Sequence, residues 1–210
     1  MDTVQGAVKG EIYTTKTRHY RPIVKWWLVV GVIMIIGQIV IGGITRLTGS
    51  GLSITKWEIV TGTLPPLNEG AWLVEFDHYK ATPQYAKINE GMSLSEFKFI
   101  YFWEWFHRQW ARFMGLVFVV GFLVFWRKGW LNPPLMHRLG IVVLLAALAA
   151  SFGWIMVASG LIDRPWVDAY KLTLHLSLGI ILFSYLLWTT LKVVQPNVPT
   201  FPQNGVDKWR

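Results

Sequence analysis

The sequence contains no cysteine. Disulfides, thiolate metal sites and cysteine nucleophiles are thereby excluded. Charge is also scarce: 15% of the 210 residues are Asp, Glu, Lys or Arg, against 53% hydrophobic. Acids are the scarcer sign, 12 against 20 bases, for a formal net charge of +8. No secretory signal peptide is expected, because the first apolar block is too long and lacks a small-residue cleavage site. No short-period repeat is present.

Tryptophan is plentiful, with 13 copies, and apolar residues gather in long blocks. A soluble domain of this length rarely has such a composition. Residues 26–44 hold one strongly polar side chain, Gln38; residues 139–162 carry no charge; residues 172–191 carry no formal charge, although His175 lies inside. Each block can cross a bilayer as a helix, which takes about 20 residues. A helix is required because lipid offers the backbone no hydrogen-bond partners. A fourth block, residues 113–126, has only 14 residues. Its helix must recruit the preceding "FWEWFHRQWAR". Counting back about 20 residues from Trp126 reaches His107 and sets this polar cluster at one interface.

The placement of the bases argues against a nucleic-acid partner. Lys16, Arg18, Arg21 and Lys25 precede the first span, Arg127, Lys128 and Arg138 join the second and third, and Lys192, Lys208 and Arg210 follow the fourth. Residues 45–98 are nearly balanced, with six acids and five bases. This is the positive-inside pattern, with both termini cytoplasmic. The expected fold is an all-α integral membrane protein, an antiparallel four-helix transmembrane bundle with a long outer segment between the first two spans. The expected division is a cytoplasmic segment over 1–22, a transmembrane domain over 23–194 with its outer segment at 45–98, and a cytoplasmic tail over 195–210. The prolines of that tail mark a linker. In the outer segment "TGTLPPLNEGAW" reads as turn-rich. "SLSEFKFI" starts a helix, with Ser93 or Ser95 as cap and Glu96 in the first turn. Small residues in the first span (Gly31, Gly37, Gly42, Gly43) and in "AALAASFG" of the third admit two readings. They allow close helix approach, or they leave space for a flat ligand.

Ionisable residues inside a membrane are costly and are functional candidates. Two of the five histidines lie on spans, His107 near the outer end of the second and His175 near the outer end of the fourth. Depth counting places the two about 5 Å apart in level. Two imidazoles at one depth on two helices suit a bis-histidine heme. Ala111 and Gly115 below His107, and Gly179 below His175, would leave room for a macrocycle. Two unrelated interfacial histidines fit the spacing equally well. His19, His137 and His78 read as interface or surface residues.

Glu104 precedes His107 by three residues and Arg108 by four, so all share one side of the helix. An intrahelical Glu104–Arg108 pair is one reading. The other gives Glu104 a proton-transfer task and makes Arg108, Arg112 and Arg46 binders of propionates, whose carboxylates match a guanidinium fork. Trp103, Trp105 and Trp110 read as an interfacial belt.

"GGITRLTGSGLSITKWEIVTGTLPPLN", "FKFIYFWEWFHRQWAR" and "VDAYKLTLHLSLG" together resemble the heme A synthase family, in its mitochondrial and proteobacterial form. The resemblance covers about residues 41–182. It implies oxidation of a methyl group of heme O by two hydroxylations, with oxygen from water, through a geminal diol to the formyl group of heme A. By the same resemblance Glu104 of E-x-x-H-R is the catalytic carboxylate, and His107 and His175 are the iron ligands of the substrate heme. Family enzymes have eight helices in two halves, the second holding heme b. Only the first half is matched here, so either a homodimer or a separate second-half subunit completes the unit, or the sequence is a truncated product. The resemblance also implies a heme O synthase and an electron acceptor as partners, besides membrane lipid. The expected location is the bacterial cytoplasmic membrane, or the mitochondrial inner membrane in a eukaryote. A related subfamily carries an outer-loop cysteine pair, which this sequence lacks. Two other functions compete: a bis-histidine b-type cytochrome or heme carrier without catalysis, and a structural assembly factor for a terminal oxidase.

Overall fold

The structure, a computed structural model, describes residues 5–8, 11–14, 20–56, 63–162 and 165–195. His19 and the proline-rich tail, both read from sequence above, lie outside the described residues. In the N-terminal segment β1 (Gln5–Val8) and β2 (Glu11–Thr14) pair antiparallel. All spanning elements are helical.

Four helices are long and apolar enough to cross a membrane: α1 (Pro22–Leu47), α4 (Leu94–Arg127), α5 (Pro133–Gly160) and α6 (Ala169–Val194). Their starts follow from local chemistry. Proline in the first turn opens α1 and α5, where a missing N–H costs nothing. Asn132 caps α5 and Asp168 caps α6 through their side-chain oxygens. Ser93 begins α4 with a reciprocal capping box to Glu96. From there α4 runs unbroken for 34 residues, about 51 Å at the usual rise. That exceeds a hydrocarbon core of about 30 Å, so one end of α4 stands clear of it. The helix thus begins well before the block that needed lengthening, and Glu104, His107, Arg108 and Arg112 all ride on it.

The outer segment holds two helices the sequence did not signal, α2 (Glu69–Lys80) and α3 (Pro83–Ile88). Their own amphipathic pattern is weak. They are held by an aromatic cluster in which Phe76 and Tyr79 stack on Phe97 of α4 at centroid distances of 4.9 and 5.2 Å. A polar chain completes the attachment. Asn89 donates to the Tyr79 hydroxyl, Tyr79 donates to Gln84, and Gln84 donates to the carbonyl of Gly49. Gly49 has φ +68°, which glycine adopts freely in the tight turn after α1.

Helix α1 is the hub, packing on α4 and on α6, while α5 packs on α6. Among the described residues α4 makes no comparable approach to α5 or α6. The α1–α4 seam is stitched by side chains bonded to the opposite backbone. Trp27 donates to Val117 O, Trp110 to Met34 O, Gln38 to His107 O and Thr45 to Trp103 O, at 2.9–3.4 Å. Such bonds hold membrane helices together where lipid competes equally for apolar contact. Trp110 therefore belongs to this seam rather than to an interfacial belt. Gly37 admits it: a Cβ there would lie 3.1 Å from the Trp110 ring. At the far end Leu28, Leu135 and Leu139 are almost wholly buried in a core shared by α1, α5 and α6.

Candidate functional site

The seam fixes the rotation of α4 and so decides where its polar residues point. Gln38 grips the His107 carbonyl, and the His107 ring lies against Gly42, where a Cβ would be 3.2 Å from Nε2. Any larger residue at position 42 would press on that imidazole. Gly42 thus serves close approach, the first of the two readings open to it, while Gln38 had no task from the sequence. The spacing Gln38–Gly42, one helical turn, was the available signal.

Glu104 is buried, with its side chain 5% exposed, and accepts a bond from Arg108 Nε at 2.6 Å. Arg108 also donates from Nη2 to Ile54 O at 3.4 Å, reaching the outer segment. The intrahelical pair is thus formed, and the Arg108 guanidinium is committed to Glu104 and the backbone above it. Arg112, one turn further on, donates to Gln109 Oε1 at 2.7 Å. Gln109 in turn donates to the carbonyl of Thr63, as does Trp105 at 3.0 Å. Arg46 is exposed in the last turn of α1.

His175 is held by α5. Its Nδ1 lies 2.9 Å from Ala149 O. A carbonyl only accepts, so Nδ1 carries the proton and Nε2 keeps its lone pair. The ring also crosses Gly153, where a Cβ would stand 2.9 Å from Cε1. The small residues of the third span therefore serve close approach around His175. His175 thus sits on α6 and His107 on α4, two spanning helices that both pack on α1. The structure sets Glu104, His107 and Arg108 together on α4, while His175 of α6 is seated on α5. Arg112 lies a turn away, and Arg46 stands apart at the surface. His137 is exposed, and His78 pairs loosely with Glu75 at 3.7 Å.

Among the described residues no group of three or more His, Asp or Glu side chains gathers around one point, so a bare chelated ion has no ready site. Two imidazoles suffice for iron whose remaining ligands come from a porphyrin. Space is open at two of the positions read as leaving room for it. A Cβ added at Gly115 or Gly179 would meet nothing within 4 Å, and α4 keeps its distance from α6.

Fold and site together define an integral membrane protein with histidines on two different spanning helices and a buried carboxylate–guanidinium pair beside one of them. Residues 25–210 match the profile of the cytochrome oxidase assembly proteins named COX15-CtaA, and the chain belongs to that family. It is similar to the heme A synthase of Flavobacterium psychrophilum, 46% identical over 172 residues, covering 81% of this chain and 51% of the relative. The heme A synthase of Rhodospirillum centenum is 46% identical over 179 residues, 85% of this chain and 48% of the relative. That of Parvibaculum lavamentivorans is 44% identical over 183 residues, 87% and 53% respectively. The chain spans about half the length of the curated relatives it matches. No solved structure matches it.

Proposed function

We propose that this chain provides the substrate-heme site of a heme A synthase. The net change is –CH3 + H2O → –CHO + 4 H⁺ + 4 e⁻ at one substituent of heme O, with the electrons passing to an acceptor outside the chain. The observation that carries the reading is the presentation of His175. Its Nδ1 is occupied by Ala149 O, which leaves Nε2 as the nitrogen able to ligate, and a separate spanning helix carries His107. Similarity to heme A synthases through this region supports it.

Each residue then has a task. His107 and His175 hold the substrate iron. Glu104, three residues from His107, receives or positions the protons released at the reacting methyl. Arg108 keeps Glu104 in place and reports its position to the outer segment through Ile54 O. Arg108, Arg112 and Arg46 are the candidates for the propionates, Arg108 with the donors that Glu104 and Ile54 O leave over. The helices run antiparallel with both termini cytoplasmic. The residue pairs across the α1–α4 seam support the antiparallel run of these two helices, since 27, 34, 38 and 45 meet 117, 110, 107 and 103 in descending order. The division into a segment over 1–22, a domain over 23–194 and a tail over 195–210 belongs to the same proposal. So do a second half that holds heme b, and a heme O synthase as supplier.

Co-expression with a source of heme O, followed by chromatography of the extracted hemes, tests the enzyme. Heme A or its hydroxylated precursor in the extract supports it. Recovery of heme O alone in the presence of a complementary half overturns it. A second reading, a b-type cytochrome or heme carrier, is favoured by the Glu104–Arg108 pair, which a purely structural role also explains. Glu104→Gln separates the two, because a carrier keeps its full function without the carboxylate.

A further inference from the structure

We infer that Ala149 and Gly153 of α5 form a seat that selects Nε2 of His175 as the ligating atom and fixes its ring. Gly153 is then a positioning residue of the heme site. The inference rests on the function proposed above only for the identity of the ligand.

The argument begins with helix geometry. In an α-helix the N–H of residue i+4 bonds to the carbonyl of residue i, so Gly153 already donates to Ala149 O along the helix. Every Cα–Cβ bond tilts toward the helix N-terminus, so the side chain at i+4 lies over the turn below it and shields that carbonyl. Glycine at position 153 removes the shield. Ala149 O, which has two lone pairs, is then open to a second donor. His175 from α6 takes that place, with Nδ1 2.9 Å from the oxygen.

The fit leaves no room for a methyl group. A Cβ at position 153 would sit 2.9 Å from Cε1, 3.1 Å from Nδ1 and 3.7 Å from Nε2 of His175. The imidazole ring is rigid, and the contacts fall on its Nδ1–Cε1 edge rather than on a flexible tip. Alanine must therefore push the ring off the carbonyl. The tautomer then loses its anchor and Nε2 loses its direction. A hydrogen bond from the non-ligating nitrogen of a metal-bound histidine orients the ring and raises its basicity, and losing such a partner costs about 10- to 100-fold in metal affinity. His107 contrasts with this arrangement. Its ring rests on Gly42 with a looser approach of 3.2 Å, made by Nε2 itself.

The test uses the full chain in lipid nanodiscs with ¹⁵N-labelled histidine, assigned by loss of one signal in His175→Gln. In the wild type without heme, His175 should show a protonated Nδ1 and a bare Nε2 at neutral pH. In Gly153→Ala that pattern should mix or invert. With heme added, Gly153→Ala should bind about 10- to 100-fold more weakly and shift the low-spin ferric resonance. Gly140→Ala, on the same helix where a Cβ meets nothing within 4 Å, should match the wild type in both measurements. A wild-type His175 protonated at Nε2 overturns the inference, and that measurement needs no variant to fold. An unchanged tautomer and heme affinity in Gly153→Ala also overturns it. A wild type that binds no heme but shows the Nδ1 proton, lost in Gly153→Ala, supports the seat and sinks only the proposed function.

Discussion

Arg108 holds Glu104 from one turn further along the same helix, Nε to Oε1 at 2.6 Å, with both side chains at most 12% exposed. A carboxylate placed so deep is stable as an anion only with such a partner. Removing one member of a buried pair costs about 3–5 kcal/mol, because the other is left uncompensated. Arg108→Ala should therefore lower thermal stability by that order, while Glu104→Gln, which keeps a hydrogen-bonding amide, should cost less. Comparing the two melting curves in one detergent checks the order.

Glu104→Gln should retain heme yet form at least about 100-fold less formyl product, the lower range for a lost proton-transfer group. Absorbance of the bound heme and chromatography of the extracted hemes measure the two effects separately. Full activity in this variant removes Glu104 from catalysis.

His107→Ala and His175→Ala should each lose the bis-imidazole spectrum of bound heme. Unchanged heme content in both variants would favour an assembly role in which these histidines hold no heme.

The α1–α4 seam makes a graded prediction. Trp110→Phe removes one bond to Met34 O and should cost about 0.6 kcal/mol, the average for a side-chain hydrogen bond between membrane helices. Gly121→Val should be far worse, since even its Cβ would overlap the Trp27 indole. Unfolding in mixed detergents ranks the two.

In the outer segment, burial holds the Tyr79 phenol above its ordinary value and outweighs the hydrogen bond from Asn89, which pulls it down. The neutral phenol is the form bonded to Gln84 and Asn89. Its contribution is complete below the unfolded value of about 10 and is lost as pH rises through the higher folded value. Protection factors for hydrogen exchange in α2 and α3, corrected for the base-catalysed intrinsic rate, should therefore fall in strong alkali, and Tyr79→Phe should remove that fall.

The spans were legible because lipid demands long apolar helices, and the short block before Trp126 forced the polar cluster onto α4. Ser93 and Glu96 were readable as a start signal because capping is local chemistry. Helices α2 and α3 were not, since they owe their order to Phe97 and Tyr101 of α4 rather than to their own pattern. Of the site, Glu104, His107, Arg108 and His175 could be named from type and spacing. The commitment of Arg108 to Glu104, the Gln38 bond to the His107 carbonyl and the place of Ala149 beneath His175 depend on which way each helix is turned. No periodicity within one helix records its rotation against another.

The unbroken length of α4 makes that rotation a single quantity. Successive residues are about 100° apart around the axis, so one angle of one shaft aims Glu104, His107, Arg108 and Arg112 together. Trp27, Gln38, Thr45 and Trp110 key that shaft to α1, while Phe97 and Tyr101 clamp its other end beneath the outer helices. One residue inserted between Tyr101 and Trp103 would set clamp and keys about 100° out of phase. Either the outer segment would swing around the bundle, or the whole polar face would turn away from Gly42 and Ile54.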